Sequence, residues 1–428
     1  MDKKFSALIG NDGIKVPGLG VIIYKDGVQV YEIFLGNRKL GEKILPVTRD
    51  TKFRVASLSK QFTIFTVMQL VEQGKINLDE DVNRYLGFNL RNPRYPKIKI
   101  TPRMLASHTS SIRDGKIYSI PPKFSLKEFF TSHGKFWEDG AHFGIEPPAE
   151  FFKYCNLNYG ILGTIIECVT GKRFDVYQRE NILSQLDTRA DYVVGNLSRE
   201  DFELLGTTYE KKNPNGYWDE FGAWYAKADD YSEQPARDTI YLQNPYAEDF
   251  CGTYSLRDYE IGTNATIFSP QGGLRISFEE LTHAMEMILN GGIYHGRKIL
   301  SEESLDEMFK SQWKFDAKKN NGDTCDGVML SYGLGEYQID GESTARLSKN
   351  HAINFVGHTG IAFGLLSAMF FSSSLSFLYV ANGHCLEEGG EGSRGEYSSN
   401  YIWEEKIDSL IDSHSGGDSC AQTATAVI

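Results

Sequence analysis

The sequence predicts an α+β fold: an antiparallel sheet built from both chain ends and flanked by helices, with an inserted mainly helical domain. Three observations carry that expectation. Strand patterns lie near both termini, a long apolar helix pattern begins at Ser57, and helical periodicity dominates the stretch between the two ends. The corresponding division is residues 1–87 and 263–412 as one discontinuous sheet domain, 88–262 as the insert, and 413–428 as a disordered tail of small polar residues.

Taken in order, Gly20–Tyr24 and Val28–Leu35 are strand-like and are joined by Lys25-Asp26-Gly27. Asp-Gly between apolar runs is a strong hairpin signal. Residues 61–73 are too apolar for a one-sided surface helix and end at Gly74, where a C-terminal cap belongs, so a buried helix is expected with Ser57 at its start. Helical periodicity returns at Asn158–Val169, followed by an aromatic and acidic stretch from Tyr209 to Tyr259. Ser277-Phe-Glu-Glu280 has the form of a capping box opening a helix to Leu289, closed by Asn290-Gly-Gly292. Leu365–Phe371 and Leu375–Val380 have strand length and composition and are joined through Ser372-Ser-Ser374.

Bulk properties narrow the function classes. With 428 residues the chain can bury a large core, and 41% hydrophobic and 24% charged residues place it among soluble folded proteins. A formal charge of −12 without a basic run argues against a nucleic-acid partner. The apolar stretch from Phe355 to Leu386 is interrupted by glycines, serines and Asn382-Gly383, so no membrane span is expected. The six cysteines are irregularly spaced and read as structural thiols. No secretory h-region follows Met1, so a cytoplasmic location is expected for the chain as written, and a secreted or periplasmic one if a leader has been removed. The sequons at Asn196 and Asn264 are chance-level matches.

The chemistry concentrates in three motifs. A serine hydroxyl needs a base within hydrogen-bond reach, and Ser57-Leu-Ser-Lys60 places an amine on the same helix face. Burial would lower the Lys60 pKa enough for it to take a proton. The spacing alone is weak, because it recurs at Ser132-His-Gly-Lys135 and Ser311-Gln-Trp-Lys314; only the first copy leads into a buried helix. Tyr154-Cys-Asn156 is the single Tyr-x-Asn among 23 tyrosines, and it supplies a proton relay and an amide able to hold both a lysine and a substrate carbonyl. His358-Thr359-Gly360 sits at the start of a strand pattern, where glycine admits a substrate backbone and the next amide could serve as an oxyanion donor.

In this order the three motifs resemble the serine β-lactamase and penicillin-binding superfamily: class C β-lactamases, D-alanyl-D-alanine carboxypeptidases, and related esterases and D-aminopeptidases. Further blocks share the likeness, among them Val16–Val21, Gly74–Asp79, Met104–Ser110, Asn158–Gly163 and Gln271–Leu274. The resemblance implies the β-lactamase/transpeptidase-like fold and a serine hydrolase acting through an acyl-enzyme on amide or ester substrates. In it Ser57 is the nucleophile, Lys60 and Tyr154 share the proton transfers, and Asn156 positions the lysine and the substrate. His358, Thr359 and Gly360 line the opposite wall, and the backbone amides of Ser57 and Ile361 form the oxyanion hole. No metal or cofactor is implied, the partner is a small-molecule or peptide substrate, and the oligomeric state stays open.

Three departures bear on activity. His358 stands where class C enzymes carry lysine, which puts β-lactam hydrolysis in doubt and favours a D-amino-acid-type peptidase or esterase. His108-Thr-Ser-Ser111 and Pro147-Pro148 replace glycine-containing blocks and are expected to alter loop geometry. An acyl transferase on the same scaffold and a non-catalytic penicillin-binding or scaffold protein are the alternatives. A lipase-type Gly-x-Ser-x-Gly and a His-Glu-x-x-His are both missing from the sequence. Specificity is expected in the aromatic loop segment from Tyr217 to Tyr259, with Trp218, Trp224 and Tyr225 as candidate pocket residues or simply packing aromatics.

Overall fold

The computed structural model describes residues 2–11, 15–217, 219, 221–243, 248–384 and 394–415. Its main sheet has nine strands in the order Trp313–Lys314, Ser331–Tyr332, Tyr337–Ile339, Phe355–Ala362, Leu365–Phe371, Leu375–Ala381, Gly18–Lys25, Val28–Lys39 and Leu45–Pro46. Every pairing is antiparallel, and Leu19 opposite Ala381 joins the two chain ends.

The central strands are buried on both faces, which explains their nearly continuous apolar runs. Alternate residues feed two cores. Ile22, Met369 and Leu378 join the helices Ser59–Glu72 and Phe278–Leu289 on one side. Val21, Ala368 and Tyr379 meet Trp403, Ile407 and Ile411 of the C-terminal helix on the other. Gly20 permits the closest approach: a Cβ there would lie 2.3 Å from the Phe278 ring. The capping box at that helix forms as expected, with Ser277 Oγ accepting from Glu280 N at 3.2 Å and Glu280 Oε2 accepting from Ser277 N at 2.9 Å.

The segment expected to be mainly helical carries strands as well. It holds the helices Pro102–Ala106, Leu157–Thr170, Phe174–Gln178 and Arg199–Glu203, and also the strands Thr208–Lys212, Ala223–Ala228, Thr239–Leu242 and Gly252–Ser255. The strand Thr208–Lys212 pairs with Gly383–His384, so the far end of the chain reaches back into this segment. One apolar cluster runs through Phe62, Leu162, Ile240 and Leu281 across the expected domain division. Residues 413–415, which the sequence assigns to the tail, complete the helix Ile402–Ser415, whose apolar face packs on the sheet. Residues 416–428, with Cys385, Cys420 and Trp218, lie outside the described residues. Asn264 is fully buried, its amide donating to Ile120 O and Pro121 O, so its sequon is closed to modification. No described helix is long and apolar enough to cross a membrane.

The two departing loops hold left-handed backbone without glycine. Ser111 has φ 66° and Ala149, just after the proline pair, has φ 75°. Asn92 Nδ2 donates to Ser111 Oγ at 2.7 Å, which anchors the first turn. Ala149 is exposed and its N–H donates to Thr109 O at 2.8 Å, so its Cβ adds only strain. Ala149→Gly is therefore expected to stabilise the fold by up to about 1 kcal/mol, read as a rise in the urea midpoint; a fall would show that the loop tolerates the methyl without cost.

Candidate active site

Ser57 lies in a single 3-10 turn, Ala56–Leu58, that runs directly into the helix Ser59–Glu72. Ala56 is held at φ 48°, a left-handed conformation that an alanine adopts only under strain from its surroundings. The turn is tied down from several sides. Ser59 Oγ donates to Ala56 O at 2.7 Å and accepts from Leu274 N at 3.1 Å, and Ser367 Oγ donates to Val55 O at 3.0 Å.

Lys60, one helical turn on, is fully buried. Its Nζ donates to Ser57 Oγ at 3.0 Å, Asn156 Oδ1 at 2.9 Å and Gln271 O at 3.2 Å. It also lies 4.7 Å from the Tyr154 ring centre. Burial pushes the amine down to about 7, only partly opposed by the Asp114 carboxyl. Tyr154 OH donates to Ser57 Oγ at 3.0 Å, so hydroxyl, amine and phenol converge. Burial raises the phenol well above its ordinary value and keeps it protonated.

Asn156 ends the approach to the helix Leu157–Thr170 and is held by Asp114, whose Oδ2 accepts from Asn156 Nδ2 at 3.0 Å while Oδ1 accepts from Leu157 N at 2.8 Å. Sequence reasoning passed over Asp114, the Gln271 carbonyl and His108. His108 is buried with its ring 4.4 Å from Tyr154, and its Nδ1 accepts from Cys155 N at 3.1 Å. None of these has a spacing signal. The only available hint was that His108 and Gln271 fall inside blocks already noted.

The strand Phe355–Ala362 forms the facing wall. Tyr337–Ile339 pairs with this strand over Phe355–Gly357 alone, so residues 358–362 have no strand partner on that side among the described residues. Gly360 abuts the nucleophile turn, and Ile361 is 37% exposed at the opening. Thr359 is buried to 9%, its Oγ1 3.3 Å from Tyr337 OH. His358 differs from the expectation: its ring lies behind the wall, not on it. It is fully buried, Nε2 lies 3.0 Å from Tyr332 OH, and Nδ1 faces the carbonyl of Thr359. Burial and the charge of Lys60 hold the imidazole neutral. With both nitrogens engaged and no exposed edge, it packs behind Tyr154, their ring centres 6.0 Å apart.

The two other Ser-x-x-Lys copies form no such pair: Ser311 Oγ bonds around Trp313 and Ser331, and the Lys135 amine lies over Phe124 and Phe250. Of the loop aromatics, Tyr217 and Tyr225 are exposed, whereas Trp224 packs toward the N-terminal segment and donates to Asn11 Oδ1 at 2.9 Å.

An antiparallel sheet made from both chain ends, with the serine turn and buried lysine against one strand, defines the transpeptidase-like class of folds. The chain belongs to the Beta-lactamase family, whose model matches residues 5–392. Protein flp of Staphylococcus aureus (strain MRSA252) is 26% identical over 214 residues, which cover 49% of this chain and 41% of that protein. Penicillin-binding protein 4 of Amycolatopsis lactamdurans is 32% identical over 178 residues, 40% of this chain and 43% of the relative. The chain thus matches well under half the length of these curated relatives. In fold it is similar to an octameric penicillin-binding protein homologue from Pyrococcus abyssi, with TM-score 0.61, 22% identity, and 91% of this chain and 73% of the other covered. It is equally similar to a D-amino acid amidase from Ochrobactrum anthropi SV3, with TM-score 0.61, 18% identity, and coverage of 97% and 99%.

Proposed function

We propose that the protein is a serine hydrolase that forms an acyl-enzyme at Ser57 from amide or ester substrates of the D-amino-acid type. The observation that carries this is the meeting of Lys60 Nζ and Tyr154 OH at Ser57 Oγ, each at 3.0 Å, with the amine buried and its pKa near 7. Lys60, half neutral at pH 7, takes the serine proton as Oγ bonds to the substrate carbonyl carbon. The developing oxyanion is received by the amides of Ser57 and Ile361. Tyr154 stays a phenol until then, so its part is relay: it gives its proton to the departing amine or alcohol and recovers one directly from the Lys60 ammonium, which lies 4.7 Å from its ring centre. Water then attacks the ester with the transfers reversed. Asn156 keeps the lysine aimed at Ser57 and offers its amide to the substrate.

The fold relatives include a D-amino acid amidase and a D-stereospecific amidohydrolase from Streptomyces sp.. They support an amide substrate, and the neutral, buried His358 supports the same choice over β-lactam turnover. The test is a panel of a p-nitrophenyl ester, a D-Ala-D-Ala peptide, a D-amino-acid amide and nitrocefin, each read by turnover and by intact mass. A covalent adduct that vanishes in Ser57→Ala is expected; an adduct that survives the substitution refutes the nucleophile.

A further inference from the structure

Three residues before Ser57, Arg54 carries a charge that no carboxylate contacts as an ion pair among the described residues, the nearby Asp229 acting on it only at longer range. Its Nε donates to Gly272 O at 2.9 Å, its Nη2 to Ser269 Oγ at 3.3 Å, and the guanidinium lies 4.5 Å from the Phe363 ring centre. Nη1 has no hydrogen-bond partner, and no carboxylate pairs with Arg54, among the described residues. The other charges around it are matched. Arg275 makes a two-point contact with Asp229 at 2.8 and 3.0 Å, Lys227 pairs with Glu210 at 2.9 Å, and Asp230 lies 3.5 Å from Lys39. Burial pushes the Arg54 guanidinium down to about 10, with Arg275 adding to the effect and Asp229 opposing it in part.

Arg54 also faces empty space. It lines a cavity of about 310 Å³ with Tyr231, Tyr241, Gln243, Arg275 and the carboxylates of Asp229 and Asp230, both held by other cations, and a smaller one of about 40 Å³ with Tyr118 and Phe363. A space of this size suits one small ligand arm. The cavity is wired to the catalytic group: Ser269 Oγ accepts from Arg54 and from Gln271 Nε2 at 2.8 Å, and the Gln271 carbonyl accepts from Lys60. A half-buried guanidinium with an unused donor nitrogen, beside tyrosines and with the neighbouring carboxylates already paired, can receive a planar anion on an apolar stem.

We propose that this cavity is the specificity pocket of the active site and that it takes a carboxylate carried on an aromatic or alkyl arm, with Arg54 as the carboxylate partner. The word specificity rests on the hydrolase reading; the carboxylate site does not.

The test is calorimetric titration of the full chain at neutral pH with 3-phenylpropionate and with its neutral isostere 3-phenylpropionamide. The acid is expected to bind at least about tenfold tighter than the amide, with that preference lost in Arg54→Gln and partly kept in Arg54→Lys. Equal binding of acid and amide by the unmodified chain, no saturable binding of the acid, or an unchanged preference in a folded Arg54→Gln overturns the proposal. The unmodified chain decides the matter even if the glutamine variant fails to fold. Titration reads binding alone, so a protein that prefers the acid yet never forms a Ser57 adduct refutes the hydrolase reading and keeps the carboxylate site. Turnover without acid preference does the reverse.

Discussion

Acylation at Ser57 is expected to rise with pH through about 7 and to be almost lost in both Lys60→Met and Lys60→Arg. The sign follows from the role. Below its pKa the amine already carries the proton it must accept, so the rate falls about tenfold per pH unit; above it the amine is neutral and the rate levels off. Methionine keeps the length and the burial but removes the base, and a loss of about 10²–10⁴-fold in acylation rate is expected. Arginine keeps a cation near Asn156 and Ser57 but cannot surrender its proton, so it separates a basic role from an electrostatic one. Stopped-flow acylation with a chromogenic ester between about pH 5 and 9 measures both. A flat profile, or an arginine variant acylating within about threefold of the parent, removes Lys60 from the role of base.

Lys52→Met is expected to cost about 3–5 kcal/mol of stability, the largest effect away from the chemistry. Lys52 is buried, and its Nζ contacts both oxygens of Glu280, at 2.6 and 2.5 Å, with Asp201 at 3.5 Å. Glu280 is also the carboxylate of the capping box and accepts from Arg189 N at 2.7 Å. Burial alone would raise the Glu280 carboxyl, but the charge and hydrogen bonds of Lys52 outweigh it and hold the pKa below its ordinary 4.5. The pair's contribution is therefore full above about pH 4.5 and is lost as pH falls through the lower folded-state value. Removing the lysine strands a buried carboxylate, whereas Lys52→Met with Glu280→Met removes both charges and is expected to recover much of the loss. Urea denaturation of the two variants at pH 7 checks this. A single variant within about 1 kcal/mol of the parent would show that water or another cation reaches Glu280. The strand Lys52–Arg54 leads straight into the nucleophile turn, so the loss is expected to loosen Ser57 as well.

Most of the architecture was legible because it rests on local patterns. The Asp-Gly hairpin, the apolar run after Ser57 and the Ser277 capping box each encode an element in a few neighbouring residues, and each appears where expected. Ser57, Lys60, Tyr154 and Asn156 were legible as spacings, and the fold brings them within hydrogen-bond distance. What stayed hidden depends on contacts between distant segments. Asp114 meets Asn156 only because a loop with left-handed turns at His108 and Ser111 doubles back. The depth of His358 is set by Tyr332, 26 residues upstream, and no pattern within the His-Thr-Gly motif announces it. The strands within 208–255 escaped notice because Thr208 and Lys211 are buried while Tyr225 and Tyr241 face outward, which masks the alternation that marks a half-buried strand.

The contact between Gly360 and the turn at Ala56 works as a mechanical gauge. A methyl at residue 360 would stand 2.3 Å from Ser367 Oγ, 2.6 Å from Val55 O and 3.2 Å from the Ala56 Cβ, so there is no clearance for a side chain there. The spacing between this strand and the Ser57 turn is thus set by the small size of Gly360 and Ala56, with Ser367 packed between them. Any gain of bulk at either one would act as a shim, prising Ser57 off the strand while leaving every acid and base in place.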